Sequence, residues 1–236
     1  MKLGLILECP RQGTDHQVYE YVISQLCPGI EVVVIPSGAT NKPGLISKCG
    51  GIASNLFEAE HCDTVAIVWD LMPTWGGAAC RKNDIEAITQ NLIDNNVNVN
   101  NVKLICIEPE LEGWLIVDGG ALTQYKRDRS HPHRVRSFPG VTLPSQSNDA
   151  KKTISKYLGW RYNDITEARR IARHITNYDH IARHHKSFAR LKMFIEQICP
   201  QYMPPERPIG QYAGKMRMSE DFSEPLPDAF WLGDMP

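Results

Sequence analysis

The chain has 236 residues, 42% of them hydrophobic and 22% charged, which excludes wholesale disorder and allows one large domain or a core domain with an appendage. No apolar run approaches the ~20 residues of a membrane-spanning helix, and Glu8 interrupts the first apolar run too early for a signal peptide, so a cytoplasmic protein without membrane attachment is expected. The net charge of −1 hides a segregation: the balance is −8 over residues 1–120, +10 over residues 121–200 and −3 over residues 201–236.

Four runs rich in Val, Ile and Leu read as strands: Lys2–Leu7, Glu31–Pro36, Thr64–Trp69 and Val102–Ile107. Between them, apolar residues recur at helical steps: Val18, Tyr21, Val22 and Leu26; Leu45, Ile52 and Leu56; Ile85, Ile88 and Leu92. Strands alternating with helices predict an α/β fold, a four-stranded parallel sheet with helices on both faces. The asparagine-rich stretch Asn91–Asn101 reads as a helix end and loop. Glu110–Asp118 is expected to be helical, with Asp118 either a cap or a ligand.

Residues 126–148, with three prolines and four arginines, read as a long exposed loop. Helical spacing resumes after Asp149, through Ile165, Ala168, Ala172 and Ile175 and then Phe188, Leu191, Ile195 and Ile198, with Ser187 as the expected N-cap of the last helix. Seven prolines in the last 37 residues predict an extended tail that packs on the body or on a partner. The expected organisation is therefore an α/β core over 1–125, a basic loop and helical subdomain over 126–199, and a Pro-rich acidic tail over 200–236.

The seven cysteines are scattered without a Cys-x-x-Cys pair, which favours reduced thiols over a disulfide framework or a thiolate zinc site. Acids follow three of the four strands: Glu8, Asp70, and the set Glu108, Glu110 and Glu112. The crevice beyond the carboxyl ends of a parallel sheet is where ligands bind. Carboxylates gathered there repel one another unless a cation lies between them, and hard oxygen ligands suit Mg²⁺ or Mn²⁺. A single acid of this kind is also an ordinary solvated turn residue.

Leu5-Ile6-Leu7-Glu8 and Ala66-Ile67-Val68-Trp69-Asp70 resemble the Toprim pattern of a glutamate after the first strand and an aspartate motif after the third. Glu110-Leu111-Glu112-Gly113-Trp114-Leu115-Ile116-Val117-Asp118 resembles the E-I-E-A-W-L-L-A-D signature of a small stand-alone Toprim-like family of unknown function. Its relatives are OLD-type and RloB-like nucleases, often encoded beside an ATPase in bacterial anti-phage defence loci. Asp149-Ala150-Lys151-Lys152 with Tyr157-Leu158, and Lys186-Ser187-Phe188-Ala189-Arg190-Leu191, are similar to that family's later helices. The resemblance implies a Toprim-like core and a metal-dependent nuclease with Glu8, Asp70, Glu110 and Glu112 as its catalytic and metal-binding acids. It also implies a partner ATPase. One departure stands out: the Toprim Asp-x-Asp reads Asp70-Leu71-Met72, so a thioether replaces the second carboxylate. The departure leaves open a catalytically silent subunit that binds nucleic acid or the ATPase.

The basic stretch Lys126–Arg136, with Arg127, Arg129, Arg134 and Arg136, is a candidate for nucleic-acid phosphates, as are Arg81 and Lys82 beyond the third strand. The other reading is that the acidic and basic halves neutralise each other at an internal interface. His180 and His184, four residues apart, have no evident third ligand and read as a surface pair. No P-loop, His-Glu-x-x-His or Gly-x-Gly-x-x-Gly is present.

Overall fold

The computed structural model describes residues 1–8, 15–38, 41–72, 81–130, 135–141 and 149–199; the expected tail over 200–236 lies outside them. The strands form where the apolar runs lie: β1 (Lys2–Leu7), β2 (Glu31–Pro36), β3 (Thr64–Asp70) and β4 (Val102–Ile107). All pairings are parallel, in the order β2-β1-β3-β4, which gives a Rossmann-like α/β sheet. Side chains alternate across it. Leu3, Leu5, Leu7, Ala66, Val68, Ile105 and Ile107 face one core, whereas Ile6, Val65, Ile67, Trp69 and Cys106 face the other.

The second core is closed by α2 (Lys42–Glu58) and α3 (Arg81–Asp94). These helices touch at Gly50, where an added Cβ would lie 2.4 Å from the Asn91 carbonyl oxygen. The first core is covered by α1 (Asp15–Leu26) and by helices from the later part of the chain: α4 (Glu112–Leu115), α5 (Gly119–Arg129), α6 (Ala150–Leu158), α7 (Asp164–Ala172), α8 (Tyr178–His184) and α9 (Lys186–Ile198). Among the described residues no helix is long and apolar enough to cross a membrane.

Four local expectations are corrected. The helix expected over Glu110–Asp118 is a single turn, α4, because the Asp118 carboxylate accepts from the Ala121 amide and starts α5 as a separate helix. The first residues of the loop expected over 126–148 are instead helical, as the end of α5. Ala121, Leu122 and Tyr125 bury one face of α5, and its last turn holds Lys126, Arg127 and Arg129, where cations favour the negative end of the helix. Ser187 lies inside α9 rather than capping it, and its hydroxyl instead accepts from Trp114 Nε1 at 3.1 Å. Finally, Cys27 and Cys199 are joined as a disulfide, 172 residues apart in sequence, so these two are not reduced thiols. Cys49, Cys62 and Cys106 are free and buried.

Candidate active site

Parallel strands deliver their last residues to one edge, and that edge gathers the acids. Glu8 follows β1 directly, with its backbone amide on the Val68 carbonyl at 3.2 Å, and Asp70 ends β3. Glu8 accepts a hydrogen bond from the Asp70 backbone amide, but its Oε2 is buried with no hydrogen-bond partner among the described residues. Burial pushes the Glu8 carboxyl up to about 7, although nearby Lys42 and the Asp70 amide oppose the shift.

Asp70 is raised well above the usual carboxylate range, by burial first and then by Glu112, Asp15, Glu8 and Glu110 around it. Glu112 is only 3% exposed. Burial raises it to about 7 against the pull of Lys151, and Glu110 and Asp15 add to the rise. Burial also raises Glu110 and Asp15. Five carboxyl groups therefore share one electrostatic neighbourhood, and each of them is easier to protonate than a free acid.

The counter-charges come from elsewhere in the fold. Lys151, on α6, stands 3.6 Å from Glu112, 3.9 Å from Glu110 and 3.0 Å from Asp164. Although partial desolvation opposes it, the ammonium is stabilised by Glu112, Asp164 and Glu110, and its pKa is raised. Tyr162 donates to Glu112 at 3.3 Å and has its own pKa raised well above normal, by burial and then by that carboxylate. On the Glu8 side, buried Lys42 donates to Asp84 at 2.9 Å and to the Leu71 carbonyl at 3.1 Å, while Trp69 Nε1 holds the same Asp84 oxygen at 3.1 Å.

Glu108 stands apart from this set. Arg81 and Arg190 hold its carboxylate at 2.9 and 3.0 Å. Arg81, a candidate for phosphates, is thus engaged within the protein, whereas Lys82 is exposed, 3.8 Å from Glu86. Trp114, two residues after Glu112, is buried in the core, edge-on to Tyr19 at 5.6 Å and to Phe188 at 5.0 Å. Gly113 beside it leaves room for buried His185, because a Cβ there would lie 2.7 Å from His185 Nε2. Met72 is exposed, with its amide on the Pro109 carbonyl at 3.1 Å.

Among the described residues, no three His, Cys, Asp or Glu side chains converge tightly enough to form a metal-holding group. The donor set nevertheless fits a hard divalent ion of one kind. Mg²⁺ commonly takes one or two carboxylates and completes its shell with waters and substrate phosphates. Glu8, whose buried Oε2 has no partner among the described residues, and Asp70, pressed by four other acids, are carboxylates of that description.

Of the basic candidates, Arg127 and Arg129 lie on the last turn of α5 and Arg136 is exposed beyond it, while Arg134 lies outside the described residues. His180 and His184 form a ring pair, with centroids 4.6 Å apart. Sequence reasoning missed Asp15, Asp164, Lys151 and Tyr162 as members of the site. Asp15 carried one usable signal, an acid opening the first helix after the first strand. The other three carried none that local spacing reveals. Comparison with family models, with curated proteins and with solved structures gives no match.

Proposed function

We propose that this chain is a Toprim-like, Mg²⁺- or Mn²⁺-dependent nuclease that cleaves phosphodiester bonds in DNA or RNA, the effector subunit of an ATPase-associated anti-phage defence system. The observation that carries this reading is the grouping of Glu8, Asp70, Glu110, Glu112 and Asp15 at the carboxyl edge of the sheet, with every carboxyl raised. Structural acids are normally paired or solvated, and perturbed groups crowded at a ligand-binding edge mark functional sites.

Glu8 and Asp70 would hold the ion, and the bound ion would supply charge neutralisation at the phosphoryl oxygens and a water of lowered pKa. Alternatively, with Glu110 or Glu112 joining Asp70 on the ion, Glu8 stays off it, and its carboxyl, raised to about 7, can take or return a proton at the reacting oxygen near neutral pH. Glu112, also near 7 and hydrogen-bonded by Tyr162, is a second proton store beside Asp70. Lys151 keeps Glu110 and Glu112 close together without an ion and orients their carboxylates towards α6.

A second reading has its own support. Lys151 already acts as a cation among Glu110, Glu112 and Asp164, and Met72 stands where the Toprim pattern has its second aspartate. Both features suit a catalytically silent subunit that binds nucleic acid or the partner ATPase.

The test is a pair of measurements. Millimolar Mn²⁺ should raise the melting temperature, and Asp70→Ala should abolish the rise. With the partner ATPase added, labelled plasmid, single-stranded DNA and tRNA should be cut in Mn²⁺ by wild type but not by Glu8→Ala or Asp70→Ala. Binding of substrate without cleavage by any form would select the silent subunit.

A further inference from the structure

A cavity of about 470 Å³ opens beside α5 and is lined by Lys126, Arg136, Phe138, Thr153, Lys156 and Tyr157, none of them a member of the carboxylate group. That volume lies within the ~300–1,000 Å³ range of small-molecule sites. Its wall is an aromatic pair, Phe138 and Tyr157, with centroids 4.8 Å apart and planes tilted by 47°. The pair is held in place before any ligand arrives. Tyr157 donates to the Arg136 carbonyl at 2.8 Å, and Thr123 Oγ1 accepts from the Phe138 amide at 2.9 Å. Lys126 reaches over the Tyr157 ring, 4.7 Å from its centroid, and donates to the Tyr157 carbonyl.

Among the described residues the cavity's lining holds three cations and no carboxylate, and Arg136 and Lys156 are exposed. Aromatic rings inside and cations around the edge match a nucleobase attached to phosphate. Stacking on aromatic rings beside a basic path is how single strands are held. A paired base is stacked between its neighbours and has no free face to present to this wall, so the cavity selects an unpaired one. A second basic cavity of about 360 Å³ lies on the neighbouring face of the same helix, lined by Tyr125, Arg129, Arg170, Arg173, His174 and Asp128.

We propose that the cavity between α5 and α6 is a base-stacking site for single-stranded nucleic acid, with the phosphates carried by Lys126, Arg136 and Lys156. This deepens the nucleic-acid reading of the proposed function and is independent of the carboxylates. The test is fluorescence anisotropy with labelled 15-nucleotide DNA and RNA strands and a 15-base-pair duplex, all in EDTA so that the acidic site makes no metal-dependent contribution.

Single strands should bind, and the duplex should compete at least tenfold more weakly. Phe138→Leu and Lys156→Glu should each weaken binding about tenfold, while Lys103→Glu on β4 stays within twofold of wild type. If Phe138→Leu lowers the melting temperature, the exposed Lys156→Glu decides alone. Because EDTA removes any divalent ion, a metal site that fails its own test leaves this result standing. Wild-type failure to bind, equal affinity for duplex, or unchanged binding by Lys156→Glu overturns the proposal. So does thymidine 5′-monophosphate competing as well as the strand, which would make this a free-nucleotide site.

Discussion

The Lys151 ammonium lies 3.6 Å from the Glu112 carboxylate, joining α6 to the short helix that follows β4. Glu112 is buried among other acids, and Lys151 is the cation that opposes the rise in its pKa. The later helices thus supply a charge that the acidic sheet edge lacks.

Lys151→Met should therefore destabilise the protein, and more at pH 8 than at pH 5. At pH 8 Glu110, Glu112 and Asp164 lose their cation while ionised. At pH 5 Glu112, whose pKa is about 7, is already protonated in the folded state. Lys151 is 45% exposed, so solvent screens the pairs and the cost at pH 8 should be ~1–2 kcal/mol. Urea denaturation at the two pH values measures the difference; equal losses at both would separate Lys151 from the acids.

Glu8 should make stability fall as pH rises. Its folded carboxyl titrates at about 7 and its ordinary value is 4.5, so between these pH values the folded state binds more protons than the unfolded one. The loss accumulates from about pH 4.5 to 7 and is constant above. Glu8→Gln should remove that slope and, in EDTA, raise stability at pH 8 by ~1–2 kcal/mol, a figure reduced for partial solvent exposure. Denaturation of both proteins at pH 5 and pH 8 is the measurement, with the gain expected only at pH 8. A stabilised variant that loses Mn²⁺ binding would fit a site whose acids are held at a cost to the fold.

The Cys27–Cys199 bond ties the end of α1 to the end of α9, closing most of the chain into a loop. A cross-link over so long a loop restricts the unfolded chain and contributes ~2–4 kcal/mol. Cys27→Ser with Cys199→Ser should lower stability by that amount in guanidinium titration, and reductant should do the same to wild type. Reductant should leave the double variant unchanged.

Nucleic-acid binding should weaken steeply with salt as counterions leave the phosphates. Replacing Arg127, Arg129, Arg134 and Arg136 with Ala should flatten the plot of log K against log[salt] by up to ~4, about one for each arginine that no longer meets a phosphate. Arg81→Ala should change the slope little, because its guanidinium is held by Glu108 at 2.9 Å. An unaltered slope in the quadruple variant would assign these arginines to a solvated surface.

The sheet and the acids at its edge could be read from the residues alone. The β1, β2 and β4 runs were legible to the residue and β3 to within one, because the buried central strands β1 and β3 are almost wholly apolar and the half-buried edge strands β2 and β4 are still rich in Val, Ile and Leu. Glu8 and Asp70 were legible because a parallel sheet sends every strand's carboxyl end to the same side. Only the tertiary structure decided how those acids are compensated. Lys151, Tyr162 and Asp164 reach them from the second half of the chain, and Cys27 meets Cys199 across 172 residues. Such pairings depend on how helices pack on the sheet, which no local period encodes. The end of α5 was obscured for a related reason: Lys126, Arg127 and Arg129 look like loop composition until Tyr125 and Leu122 are seen buried beneath them. Apolar spacing reports the burial of a residue's own segment, whereas charge partners and cross-links are settled by contact between segments.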